Sequence, residues 1–332
     1  MIHEQFDLVH WQGIFGTEYL AKSLPNCSPG LGITGPADVC RLEYHRSQLQ
    51  KQIDFGRSIF ADVFVFALGE PLERSVTKFG GVPYRPAKVP WPRHDILDTD
   101  NKTLLLNDGE LEKCLTEEDW QWMRENDGTL HGYLDESFPR LRFLAQFNFA
   151  DSHDLVGTLP GDVLLLFGDY DHPFIEYYEW YPLGLTDLID PGDVPTTGYP
   201  GRDNEFVTCY GQIHRTCDYP DAETLNRDFL GHRNFCDQAI FRPKAHRVGG
   251  MPFLIQREPT LPGRLIAVLD GIHAYNDRLW PWLNREALPK QKPNRRKPLG
   301  ETRDTRTFIG LDASIYLYLD DDGKLHWEDQ CT

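Results

Sequence analysis

The feature that most constrains this chain is a turn that it uses twice. Phe79-Gly-Gly-Val-Pro83 and Val248-Gly-Gly-Met-Pro252 each set two adjacent glycines one residue ahead of a proline. Adjacent glycines permit backbone angles that other residues avoid, and the proline then fixes the direction in which the chain leaves. Four prolines and two glycines within residues 79–92 exclude a helix or a central strand over that stretch. Phe79, Tyr84 and Trp91 are the aromatic residues placed to anchor it.

The segments downstream of the turns repeat as well. Arg142-Phe-Leu-Ala-Gln-Phe-Asn148 after the first corresponds to Arg264-Leu-Ile-Ala-Val-Leu-Asp270 after the second. Strand alternation puts Phe143, Ala145 and Phe147 on one face, and Leu265, Ala267 and Leu269 correspond to them. A further apolar strand appears in each case: Val163-Leu-Leu-Leu-Phe167 before Gly168-Asp-Tyr-Asp171, and Ile315-Tyr-Leu-Tyr-Leu319 before Asp320-Asp-Asp-Gly323. Turn, strand, strand and acidic turn in the same order twice is the pattern of an internal duplication. The second acidic turn reads as a hairpin rather than a calcium loop, which needs six or more oxygens and a later glutamate.

The expected fold is therefore α+β and internally duplicated, with mostly antiparallel β-sheet halves, peripheral helices and long loops. Residues 1–74 read as an N-terminal extension with one strand, Ile59-Phe-Ala-Asp-Val-Phe-Val-Phe-Ala67, packed on the core. Residues 75–175 form the first half, 176–245 an irregular connecting segment, and 246–332 the second half. Helices are expected over 39–51, from Thr116-Glu-Glu-Asp119 with its acids in the first turn, and over 276–288. The basic, proline-rich run 289–298 has too little apolar area to pack and reads as a solvated loop.

Charge and cysteine usage bound the function. The formal net charge of -17 repels a phosphate backbone, so nucleic acid is not expected as a partner, whereas a basic protein is. The first residues lack the basic and apolar regions of a leader, and no apolar run approaches the ~20 residues of a membrane span. Seven scattered cysteines, an odd number, read as reduced thiols and hence a cytoplasmic protein. The sequence does not constrain the oligomeric state.

Taken in order, Ser75-Val-Thr-Lys-Phe-Gly-Gly-Val-Pro83, Trp91-Pro92, Phe143-Leu-Ala-Gln-Phe-Asn148, Leu159-Pro-Gly-Asp-Val-Leu-Leu-Leu-Phe167, His246-Arg-Val-Gly-Gly-Met-Pro-Phe-Leu-Ile-Gln256 and Gln330-Cys331 resemble the YwqG-like family of bacterial proteins of unknown function. The resemblance implies a duplicated fold around mostly antiparallel sheet and no established activity. It also implies a link, in some members, to contact-dependent toxin and immunity loci. One departure bears on the site: where the family's second half carries a glutamine like Gln146, this chain has Val268.

Candidate chemistry lies in two places. Cys209, His214, Cys217, His232 and Cys236 supply thiolate and imidazole, the preferred donors of structural zinc. Their spacings fit no standard finger, and reduced cysteines with surface histidines in a loop are the competing reading. No cofactor is otherwise expected. Gln146, His246 and Gln256 sit near equivalent features of the two halves and are candidates for a ligand cleft between them, or for satisfying buried backbone groups. No nucleophile elbow, phosphate loop, dinucleotide fingerprint or His-Glu-x-x-His is present. The expectation is a non-enzymatic protein-binding module, of immunity type where a toxin is the partner. The alternative is an enzyme or small-ligand binder working in the cleft.

Overall fold

The computed structural model describes residues 36–92, 97–98, 103–105, 111–114, 141–168, 175–195, 208–220, 241, 245–251, 261–269 and 313–331. Its strands are β1 (Ile59–Leu68), β2 (Lys78–Phe79), β3 (Leu97–Asp98), β4 (Thr103–Leu105), β5 (Leu111–Cys114), β6 (Arg142–Asn148), β7 (Val163–Gly168), β8 (Ile175–Tyr181), β9 (Cys209–Asp218), β10 (Arg247–Gly249), β11 (Arg264–Leu269), β12 (Ala313–Leu319) and β13 (Leu325–Cys331). Two α-helices accompany them among the described residues, α1 (Pro36–Leu49) and α2 (His153–Val156). Strands β3, β4 and β5 form a small sheet of their own.

The other ten strands join into one sheet in the order β13-β12-β11-β10-β1-β9-β2-β6-β7-β8, antiparallel throughout. The α+β expectation is thereby corrected: this is a mostly antiparallel β fold, a nearly closed barrel with few helical residues. Residues 176–245, expected to be irregular, contain β9 and most of β8. With β10, β9 merges into one sheet what the repeat suggests are two. The helices expected near residue 116 and over 276–288 lie outside the described residues.

Closure shows at the two edges. The Leu325 amide of β13 donates to the Tyr178 hydroxyl of β8 at 3.3 Å, and the Tyr178 and Trp327 rings meet edge to face, centroids 6.3 Å apart. Inside the curl, Phe64, Phe79, Phe147, Phe149, Leu164, Leu166, Ile266, Leu317 and Leu325 form a single buried cluster drawn from both halves. Each fully buried side chain of this size contributes about 1.5–3 kcal/mol by leaving water. Helix α2 packs on the cluster beside β10 and β11. Leu155 and Val156 pack into the cluster, Ser152 Oγ donates to Asp62 Oδ2 at 2.7 Å, and Arg264 caps the carbonyls of Val156 and Thr158.

Strand β7 is apolar on both faces because both are covered. Leu164 and Leu166 face the inner cluster, while Val163, Leu165 and Phe167 face an outer one with Tyr84, Leu141 and Phe143. Helix α1 covers the outer face of β1, where Val39 and Leu42 meet Val63 and Val65.

The assignment of Phe143, Ala145 and Phe147 to one face is corrected by a register shift between Phe143 and Ala145. The extra residue turns Phe143 outward while Ala145 and Phe147 stay inside. The same shift falls between Leu265 and Ala267 in β11, with the same result: Leu265 packs outside against Val268 and Tyr316, and Ala267 and Leu269 inside.

Candidate functional site

The two Gly-Gly turns are built by the same device. In the first, the Lys78 ammonium, fully buried on β2, pairs with Glu70 Oε1 at 2.5 Å. The other oxygen of that carboxylate accepts from the Val82 amide, just past the glycines, at 3.2 Å. In the second, Arg247 of β10 pairs with Asp218 Oδ2 at 2.6 Å, and the same oxygen accepts from the Met251 amide at 2.8 Å. Each time a carboxylate bridges a buried cation and the backbone beyond the glycines.

This carboxylate explains the second glycine of each pair. Gly81 and Gly250 have φ of +73° and +71°, and a Cβ at either would land on the carboxylate, Glu70 Oε2 in one case and Asp218 Oδ2 in the other. The signal for this is present in the sequence: both copies read basic-x-Gly-Gly-x-Pro, with Lys78 and Arg247 in the same place. The carboxylates lie too far upstream to be read as part of the motif.

Gln146, a sequence candidate for ligand binding, directs its whole amide at the backbone. Its Oε1 accepts from the Tyr84 amide at 2.7 Å, and its Nε2 donates to the carbonyls of Arg74 and Val76 at 2.8 and 2.7 Å. It is fully buried and pins the loop that leaves β1. His246 lies on the opposite, inner side, its ring centroid 4.6 Å from that of Phe79, and burial drives its pKa down to about 3. The two do not converge, and Gln256 lies outside the described residues. The described strands of residues 75–175 and 246–332 do not pair with each other directly: β1 and β9 stand between β10 and β2.

Three of the cysteine and histidine candidates fall on β9, whose register against β1 runs unbroken from Ile59↔Asp218 to Leu68↔Cys209. Cys209 and Cys217 are eight residues apart along it, about 26 Å at the rise of a strand, and His214 points to the other face. They do not meet at one point, and no group of three or more metal-ligating side chains occurs among the described residues. His232 and Cys236 lie outside the described residues.

Burial sets the protonation behaviour of these groups. The thiols of Cys40 and Cys209 are each pushed up to about 12 by burial, and burial lowers the His214 pKa. Thiolate and imidazolium are both disfavoured where water is excluded. The remaining large polar groups serve as tethers. Arg85 forms a bidentate pair with Glu179, Nε–Oε2 and Nη2–Oε1 both at 2.7 Å, and its other hydrogen bonds go to the carbonyls of Val89 and Pro90. Arg215 of β9 binds both oxygens of the buried Asp62 at 2.8 Å and also reaches Asp154 of α2.

Different in character is the outer strip made by β8 and the loop after it. Ile175, Tyr178 and Trp180 pack toward the inner cluster, whereas Tyr177 is 44% exposed. Leu183 is 41% exposed, and the carboxylates of Glu176, Asp187, Asp190 and Asp193 are also at the surface. The strip is held in place from beneath. Leu185 N donates to the Tyr84 hydroxyl, Ile189 N to Arg85 O, and Arg74 binds the carbonyls of Pro83 and Ile189. The aromatic run at 177–181 therefore divides: most of its rings pack inward, and Tyr177 lies partly exposed with its ring against Phe167, centroids 6.2 Å apart.

Residues 77–181, from β2 through β8, match a family described as a domain of unknown function (DUF1963). No curated protein matches the chain. The match covers less than half of the chain, and β9 to β13 lie beyond it. No described helix is long and apolar enough to cross a membrane.

Proposed function

We propose that this chain is a binding protein without catalysis, and that it takes a basic protein partner on the acidic strip formed by β8 and residues 182–193. The observation that carries this reading is the charge of the strip. Between residues 169 and 201 there are seven Asp and Glu and no Lys or Arg. Four of those carboxylates are exposed around Tyr177 and Leu183, Glu176 on β8 and Asp187, Asp190 and Asp193 in the segment after it. Exposed aromatic and apolar side chains among mostly acidic neighbours, with Lys88 beside Asp187 at 3.4 Å, suit a partner of the opposite sign.

The titratable groups support the absence of catalysis. A nucleophilic thiol needs its pKa lowered, and a general base needs one near neutrality. The described thiols of Cys40 and Cys209 are shifted upward and the His246 imidazole downward, by burial in each case. The thiols Cys40, Cys209 and Cys217, free among the described residues, support the cytoplasmic location that this reading carries. The YwqG-like resemblance extends the reading to an immunity-type role, in which the basic partner is a toxin.

The test is capture of partners from the protein's own cells with wild-type chain and with a Glu176→Lys, Asp187→Lys, Asp193→Lys variant. We expect one dominant basic partner, bound at least tenfold more weakly by the variant and released by raised salt. Background capture by both proteins, or equal binding by both, would refute the reading.

A further inference from the structure

The buried pair Arg247–Asp218 is incompletely satisfied. Both side chains are 0% exposed, and a single contact, Nη1 to Oδ2, joins them. Arg247 Nε and Nη2 find no hydrogen-bond partner among the described residues, and neither does Asp218 Oδ1. Buried polar groups are nearly always hydrogen-bonded, so three such atoms on two touching side chains call for an explanation.

The same chain shows what this edge of a guanidinium accepts. In Arg85 the Nε and Nη2 groups hold the two oxygens of Glu179 at 2.7 Å. In Arg215 they hold the two oxygens of Asp62 at 2.8 Å. Nε and Nη2 form a planar fork matched to a carboxylate. The first half has no such fork, because Lys78 stands where Arg247 does. There the paired residue on the next strand is Gln146, whereas Arg247 pairs with Val268, which offers no hydrogen bond.

Charge narrows the chemistry further. Arg247 and Asp218 already balance each other, so a bare anion on the fork would leave a net negative charge in a buried site. A ligand that also brings a cationic donor to Asp218 Oδ1 keeps the site neutral. The geometry points to an α-amino acid ligand, its carboxylate on Nε and Nη2 of Arg247 and its ammonium on Asp218 Oδ1. This site lies on β9 and β10, away from the β8 strip, and stands independently of the protein-binding reading.

Calorimetric titration of the full chain with glycine, L-alanine, L-lactate and acetate tests it, alongside an Arg247→Lys variant that copies the arrangement of the first half. Glycine or L-alanine is expected to bind one to one, at least tenfold tighter than L-lactate or acetate. Arg247→Lys is expected to lose that binding at least tenfold while its ligand-free melting temperature stays within a few degrees of wild type. If the variant melts much lower, the same titrations are read on Arg247→Gln, which keeps a donor and loses the fork. No binding of either amino acid at millimolar concentration would overturn the proposal. So would equal binding of lactate, or a crystal structure grown with glycine that shows only water or a side chain of this chain on Nε and Nη2.

Discussion

His246 shows how burial turns an ordinary side chain into a pH liability. Its folded pKa of about 3 lies well below the ~6.5 of an unfolded chain, and the cause is desolvation alone. The unfolded state therefore takes up a proton first as pH falls. Stability is complete above about pH 6.5 and is lost progressively toward pH 3, at up to ~1.4 kcal/mol per pH unit. Denaturant titrations from pH 7 to 4.5 should show this slope, flattened by about 1 kcal/mol per unit in His246→Asn. Parallel slopes would mean that the imidazole does not stay neutral inside. His214, lowered in the same direction, leaves a residual slope in the variant. For the thiols, native-state alkylation at pH 8 with mapping by mass spectrometry should leave Cys40 and Cys209 unmodified and label Cys217 faster. Rapid labelling of Cys209 would contradict its place in the inner cluster.

Among the elements, the Gly-Gly turns carry the clearest expectation. Gly81→Ala and Gly250→Ala both force an L side chain into left-handed backbone, at about 1–2 kcal/mol each. The steric surroundings then separate them. At Gly81 the new methyl meets the ends of two side chains, the part-exposed Glu70 carboxylate and Thr208 Cγ2 at 2.6 Å, and both can rotate away. At Gly250 it meets Asp218, which is fixed by Arg247 and the Met251 amide, and also the Cβ of Ala61 at 2.6 Å. Chemical denaturation should find Gly250→Ala the more destabilised by more than about 1 kcal/mol; equal losses would mean that the Asp218 clamp is not rigid.

Several elements are legible in the sequence, for physical reasons that can be named. The residues of β1, β6, β7 and β12 are β-branched, aromatic or leucine-rich, and their ends are marked by turns. Strand β9 is hidden because its sequence, Cys-Tyr-Gly-Gln-Ile-His-Arg-Thr-Cys-Asp, has no apolar alternation. Its polar residues are absorbed by partners distant in sequence: Arg215 by Asp62 and Asp154, Thr216 by Arg46 and Glu43. The clamps are half legible, since the basic residue sits within the repeated motif but its carboxylate does not. Gln146 and His246 stand out in the sequence as polar groups near the repeated features, but no local pattern reveals that they face opposite sides of a sheet.

At the scale of the molecule, the strand order is symmetric about the β1–β9 pair. On one side lie β2, β6, β7 and β8, and on the other β10, β11, β12 and β13. Each flank carries a Gly-Gly turn, a carboxylate clamp and a bulge at the same place. When β1 is counted with the strands that follow it and β9 with those that follow it, the two central strands are exchanged: β1 pairs with β10, and β9 pairs with β2. We therefore propose that neither half folds alone. Fragments 1–200 and 201–332 should each lack cooperative unfolding by circular dichroism and regain it when co-expressed, whereas cooperative unfolding of 1–200 by itself would show that the exchange is dispensable. The acidic rim of β8 is the face we propose for the partner. Amide hydrogen exchange of the full chain, with and without its captured partner, tests that assignment most directly. Slowed exchange should concentrate in residues 175–193; protection confined to 209–218 or 246–251, with none on the β8 strip, would contradict it.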